Sequence, residues 1–135
     1  IKYKEGDCIT LITTGGILVE AMLAAEKLKD LGINIGVTHF HTLKPLDKHA
    51  LDAIIYKAKV LISIEEHNLI GGLASAISEH CLKSGNYPHT FRSLGLKDQF
   101  SSVVGTQEYL RNYYQIDHKA IVREVISCLS IIDSN

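Results

Sequence analysis

The hydrophobic period of this chain switches repeatedly between two values, and that switching constrains the fold more than any single motif. "CITLITTG", residues 8–15, is β-branched and apolar and stops at Gly15-Gly16, the pattern of a buried strand. Leu18, Ala21, Met22, Ala25 and Leu28 then recur on one face of a helix, which Gly32 closes. "INIGVTHFHT", 33–42, reads as a strand. Pro45 marks a turn, and Asp47 is placed to cap a second helix carrying Leu51, Ile54, Ile55 and Ala58. "KVLISIEE", 59–66, is a third buried strand, and Leu73, Ala76, Ile77, His80 and Cys81 mark a third helix. Residues 86–96 give a turn and a short strand. Ile121, Val122, Val125, Ile126 and Leu129 form the apolar face of a final helix. The order β-α-β-α-β-α-β-α predicts a parallel sheet with helices on both faces and right-handed crossovers. "IKYKE" is placed to add a short edge strand.

Residues 1–135 suit one domain, large enough to bury about two thirds of its unfolded surface. A formal net charge of −1, with no basic stripe, argues against nucleic acid or an anionic membrane as partner. No apolar run approaches the roughly 20 residues of a membrane helix. Cys8, Cys81 and Cys128 are too scattered for a disulfide framework or zinc ribbon and read as small buried thiols in a reducing cytoplasm. The chain starts without methionine, as an excised piece of a longer protein would.

In an open parallel sheet, ligands bind beyond the carboxyl ends of the strands. "TTGG", "HTLKPLD" and "EEHNLIGG" fall there. Thr14-Gly15-Gly16 joins a strand to a helix whose first N–H groups suit a small anion. However, G-x-G-x-x-G is absent, and Glu20 in the first turn is placed to repel one. His39 and His41 share a strand face, but two ligands make no zinc site. A carboxylate beside a histidine, as in Glu65-Glu66-His67, can orient a general base. Adjacent strand residues point to opposite faces, though, and no nucleophile stands near; Ser75 is in no G-x-S-x-G elbow. Gly71-Gly72 reads as close packing of a helix start on the sheet. No Walker loop occurs, nor a Gly-Asp-Gly followed some 30 residues on by Asn. The residues therefore predict no catalytic, cofactor-binding or metal site.

Taken in order, the motifs resemble the C-terminal domain of the transketolase family. They are Gly6-Asp7 opening a strand, T-G before a helix with A-x-x-A-A, K-P-L-D, E-E-H-N-x-x-G-G and G-T-Q-E-x-L, and they cover the chain from about Lys2 to Leu129. The resemblance implies a three-layer α/β/α sandwich around a five-stranded mixed sheet, mostly parallel with the first strand antiparallel. It implies a parent that binds thiamine diphosphate and magnesium in other domains, across a homodimer interface, and moves a two-carbon ketol unit between sugar phosphates. This domain would carry no cofactor and would serve subunit completion and contact with another domain or subunit. Glu65, Glu66, His67, Asn68, His41 and Lys44 are the candidate contact residues. The C-terminal domain of 1-deoxyxylulose-5-phosphate synthase is an alternative, as is a small anion-binding regulatory module at "TTGG" or "IGG". The chain departs from the family at Ala74, which stands for a glycine and implies looser helix packing, at Lys97, which stands for a proline, and at Val104, which stands for a histidine.

Overall fold

The computed structural model describes residues 1–68, 71–96 and 105–133, without the side chains of His67 and Asn68. Lys97 and Val104 lie outside the described residues. The elements run β1 (Lys2–Lys4), β2 (Ile9–Thr13), a 3-10 turn (Gly15–Ile17), α1 (Leu18–Asp30), β3 (Gly36–His39) and α2 (Lys48–Lys57). They continue with β4 (Val60–Asn68), α3 (Leu73–Ser84), β5 (Thr90–Leu96), α4 (Gln107–Tyr113) and α5 (His118–Asp133).

The strands form a single sheet in the order β1-β3-β2-β4-β5. β1 runs antiparallel to β3, and the other neighbours are parallel. This is the mixed five-stranded sheet implied by the resemblance, with "IKYKE" at its edge.

Side chains that alternate along each inner strand explain why those strands read as continuous apolar runs. Ile9 and Leu11 of β2, with Val60, Ile62 and Ile64 of β4, face a core formed with α1 and α5. Ile12 and Leu61, one residue out of phase, face a second core formed with α2 and α3. With both faces covered, apolar residues dominate both sides of the run, and the few polar ones, such as Thr10, Thr13 and Ser63, mark no period of two. Each core depends on the full burial of several Leu, Ile and Val side chains, at about 1.5–3 kcal/mol apiece.

The helix boundaries follow from local chemistry. α1 ends where Gly32 N–H donates to the Lys29 carbonyl at 2.9 Å and Ile33 N–H to the Leu28 carbonyl at 2.8 Å. This pairing closes the last turn while Ile33 packs back on the core. Asp47 caps α2, accepting the Ala50 N–H at 3.0 Å. The Lys44–Pro45 peptide before it is cis. α4 is a helix that periodicity did not reveal. Its Thr106 cap accepts the Tyr109 N–H at 3.2 Å. On α5, Ile126 is half exposed and the core position belongs to Cys128, a correction to the predicted apolar face. Cys81 is buried too, and burial pushes both thiols above their ordinary range. No helix among the described residues is long and apolar enough to cross a membrane.

Candidate functional site

β2 and β4 are neighbours, yet β2 leads into α1 on one face and β4 into α3 on the other. The chain therefore parts at their carboxyl ends, and doubly wound folds commonly place a ligand in such a crevice. "TTGG" and "EEHN" are the two loops that border it.

Glu65 is fully buried. Its Oε1 accepts the Leu73 N–H and its Oε2 the Ala74 N–H, both at 2.9 Å. Gly72, at the N-cap, has no side chain to offer α3, so a carboxylate from the neighbouring strand satisfies two of the helix's orphan donors. The negative charge also meets the positive end of the helix dipole. An anion position at "IGG" is thus filled by the protein itself. Gly71 has φ +80°, and a Cβ there would meet nothing within 4 Å. For Gly71 the reading of close packing is corrected: this residue serves the left-handed backbone that leads into α3. Its N–H is accepted by Ser75 Oγ at 2.9 Å. Ala74 is buried in the first turn of α3.

Glu66 points to the other side and meets Arg111 of α4. The Arg111 Nε donates to Glu66 Oε1, and the Gln107 amide adds a bond to the same oxygen at 3.3 Å. Arg111 is itself buried. One terminal nitrogen donates to the Gly16 carbonyl at 3.1 Å, and the other lies 3.5 Å from Glu20 Oε1. Glu20 Oε2 in turn accepts the His118 N–H at 2.7 Å and sits 2.9 Å from His118 Nδ1, capping α5. The expectation that Glu20 repels an anion at "TTGG" is overtaken by this geometry: its carboxylate is spent on Arg111 and α5. A Cβ on Gly16 would lie 3.3 Å from Glu66 Oε2 and 3.4 Å from the arginine, so the turn is packed against the cluster.

His39 and His41 do come together, with ring centroids 4.6 Å apart and planes at 81°. His39 is buried, with Nδ1 2.8 Å from Thr13 Oγ1. Burial, with His41 adding to it, holds its pKa below the ordinary histidine range. No group of three metal-ligating side chains occurs among the described residues. His41 and Lys44 are exposed at this same edge. The candidate contact residues thus divide: Glu65 is buried, Glu66 is tied to Arg111, and His41 and Lys44 reach solvent. His67 and Asn68 close β4.

Arg111 is the residue that sequence reasoning missed. It sits in "EYLRNYY", where nothing local distinguishes it, and its partners lie far upstream.

Fold and crevice define a doubly wound α/β domain whose switch point is closed by its own side chains. The family described as "Transketolase, C-terminal domain" matches residues 1–121, and the chain belongs to it. It is 38% identical over 120 residues to a 6-deoxy-6-sulfo-D-fructose transketolase subunit, SqwH, of Clostridium sp. (strain MSTE9), covering 89% of this chain and 36% of that one. It is 34% identical over 123 residues to 1-deoxy-D-xylulose-5-phosphate synthase of Clostridium beijerinckii, covering 91% of this chain and 20% of that one. A solved "Split gene transketolase, inactive beta4 tetramer" superimposes with a TM-score of 0.85 at 30% identity, over 96% of this chain and 42% of the other. The chain therefore spans between a fifth and two fifths of the length of these relatives.

Proposed function

We propose that this domain completes a transketolase-type enzyme that moves a two-carbon ketol unit between sugar phosphates, and that its own task is structural. Relatives named as transketolase subunits support the reading, as does the short span of their length that this chain matches. In the proposed parent, a cytoplasmic homodimer, thiamine diphosphate and magnesium are held by other domains. The described residues of this chain do not fit that cofactor. The N–H groups of Leu73 and Ala74 are taken by Glu65, and the arginine at this edge is taken by Glu20 and Glu66. Among the described residues, no carboxylate-histidine cluster stands ready for the metal.

The observation that carries the reading is the plugged switch point. Where related folds open a ligand crevice, Arg111 links β4, α1 and the turn after β2 into one rigid edge. The proposed contact with a neighbouring domain or subunit runs through His41, Lys44, Glu66, His67 and Asn68. Glu65 supports them from beneath by anchoring α3.

Two measurements test it. Calorimetry of this chain with thiamine diphosphate and magnesium is expected to show no binding, and a micromolar affinity overturns the reading. In the assembled enzyme, Lys44→Glu is expected to shift sedimentation toward smaller species while the melting temperature of this chain stays unchanged.

A second reading is favoured by the resemblance to 1-deoxy-D-xylulose-5-phosphate synthase. The parent would then condense pyruvate with glyceraldehyde 3-phosphate. Assaying the assembled enzyme with each substrate pair separates the two.

A further inference from the structure

A cavity of about 430 Å³ opens at the far side of the sheet from the plugged crevice, between β1, the starts of β2 and β3, and α2. Its size falls within the usual range for small-molecule pockets. Ala50, Ala53 and Ile54 of α2 form an apolar wall, and Gly36 and Thr10 belong to the sheet side. Room is left there because Gly36 has no side chain: a Cβ would sit 3.0 Å from Thr10 Oγ1.

The lining is also charged. Lys2, Lys4 and Lys57 stand against Glu5 and Asp7. Lys2 is paired with Glu5 at 2.7 Å, and Asp7 accepts the Asn34 amide at 3.4 Å. Lys4 differs from the rest. Its ammonium nitrogen is sealed from solvent and has no hydrogen-bond partner among the described residues. A cation taken out of water without a partner is costly, and folded proteins rarely leave one so. Carboxylates elsewhere in this domain, such as Glu65 and Glu20, are matched by donors. The unmatched cation lies beside a cavity that has both an apolar wall and room for a ligand.

We propose that this cavity binds a small organic anion, a carboxylate or phosphate ester with a short apolar body. The Lys4 side chain turns its ammonium into the cavity to pair with the acid group, and the body lies on Ala50, Ala53 and Ile54. The ligand replaces the missing partner of Lys4 and gains hydrophobic contact that inorganic anions lack. The site is separate from the plugged edge, since none of its residues belongs to the Arg111 cluster.

Butyrate, phenyl phosphate, inorganic phosphate and uncharged butyramide serve as probes, titrated into the full chain at physiological salt. Amide chemical shifts of Gly36, Thr38 and Ala53 report binding. Butyrate or phenyl phosphate is expected to move these amides saturably. Butyramide and inorganic phosphate should bind at least tenfold more weakly, because each lacks one half of the match. Whichever of the two organic anions binds tighter identifies the acid group. Lys4→Met, which keeps the side-chain stem, is expected to weaken organic-anion binding at least tenfold. Ala50→Leu, which narrows the cavity but keeps Lys4, should weaken it too. Failure of both organic anions to shift the cavity amides, equal binding by butyramide, or unchanged affinity in Lys4→Met overturns the proposal.

Discussion

Arg111 of α4 donates to the carboxylate of Glu66 at the end of β4, 45 residues earlier in the chain. The same guanidinium reaches Glu20 and the Gly16 carbonyl, so three separate segments are held by one side chain. Its planar fork has the donors to do this, which a lysine's ammonium does not match in geometry. Removing one partner of a buried ion pair leaves the others uncompensated, which typically costs about 3–5 kcal/mol. Urea denaturation of Arg111→Ala is therefore expected to show a loss of about 3 kcal/mol or more, with Arg111→Lys intermediate. A loss within about 0.5 kcal/mol would mean that the crevice is held shut by something else.

Glu65 tests the anchoring of α3. Truncation in Glu65→Ala leaves two buried N–H donors without an acceptor, a cost of about 2 kcal/mol. Glu65→Gln retains one acceptor oxygen but turns an amide donor toward the helix, so it should recover only part of that loss. Native-state hydrogen exchange of the Leu73 and Ala74 amides reads the effect locally. Protection that survives in Glu65→Ala would contradict the cap.

Two glycines should respond differently to alanine. Gly71→Ala meets no atom of the described residues and pays for its left-handed backbone, about 1 kcal/mol. At Gly6 a Cβ would lie 1.9 Å from the Gly36 nitrogen and 2.2 Å from the Ile35 carbonyl carbon. Backbone must move there, so Gly6→Ala is expected to lower the melting temperature further and to release protection in β1. Equal effects from the two variants would refute the distinction.

His39 gives the fold a pH dependence of predictable sign. Its folded pKa is depressed by burial and by His41, so between that value and the unfolded one near 6.5 the unfolded chain binds more protons. Stability then rises with pH and is lost as pH falls through the unfolded pKa toward the folded one. Asp52, depressed chiefly by its bond to His80 and then by Asn86, contributes a loss only at more acidic pH. Melting curves of the wild type are expected to fall between about pH 7.5 and 5, and those of His39→Gln to fall less. A steeper fall in the variant would reverse the assignment.

The sequence by itself determined the layers. Continuous apolar runs give way to a 3.6 period where the strands end and helices begin, and both faces of β2 and β4 are mostly apolar because both are covered. Asp47 and Gly32 act within a turn of their own position, so their roles were legible as well. α4 was not legible, because its seven residues carry no sustained apolar stripe and its value lies in Arg111. Tertiary structure alone decided what the polar loops do. Glu65, Glu66 and Glu20 could each have served a ligand. A carboxylate's role depends on which donors surround it, and here those donors come from segments that only the folded sheet brings together.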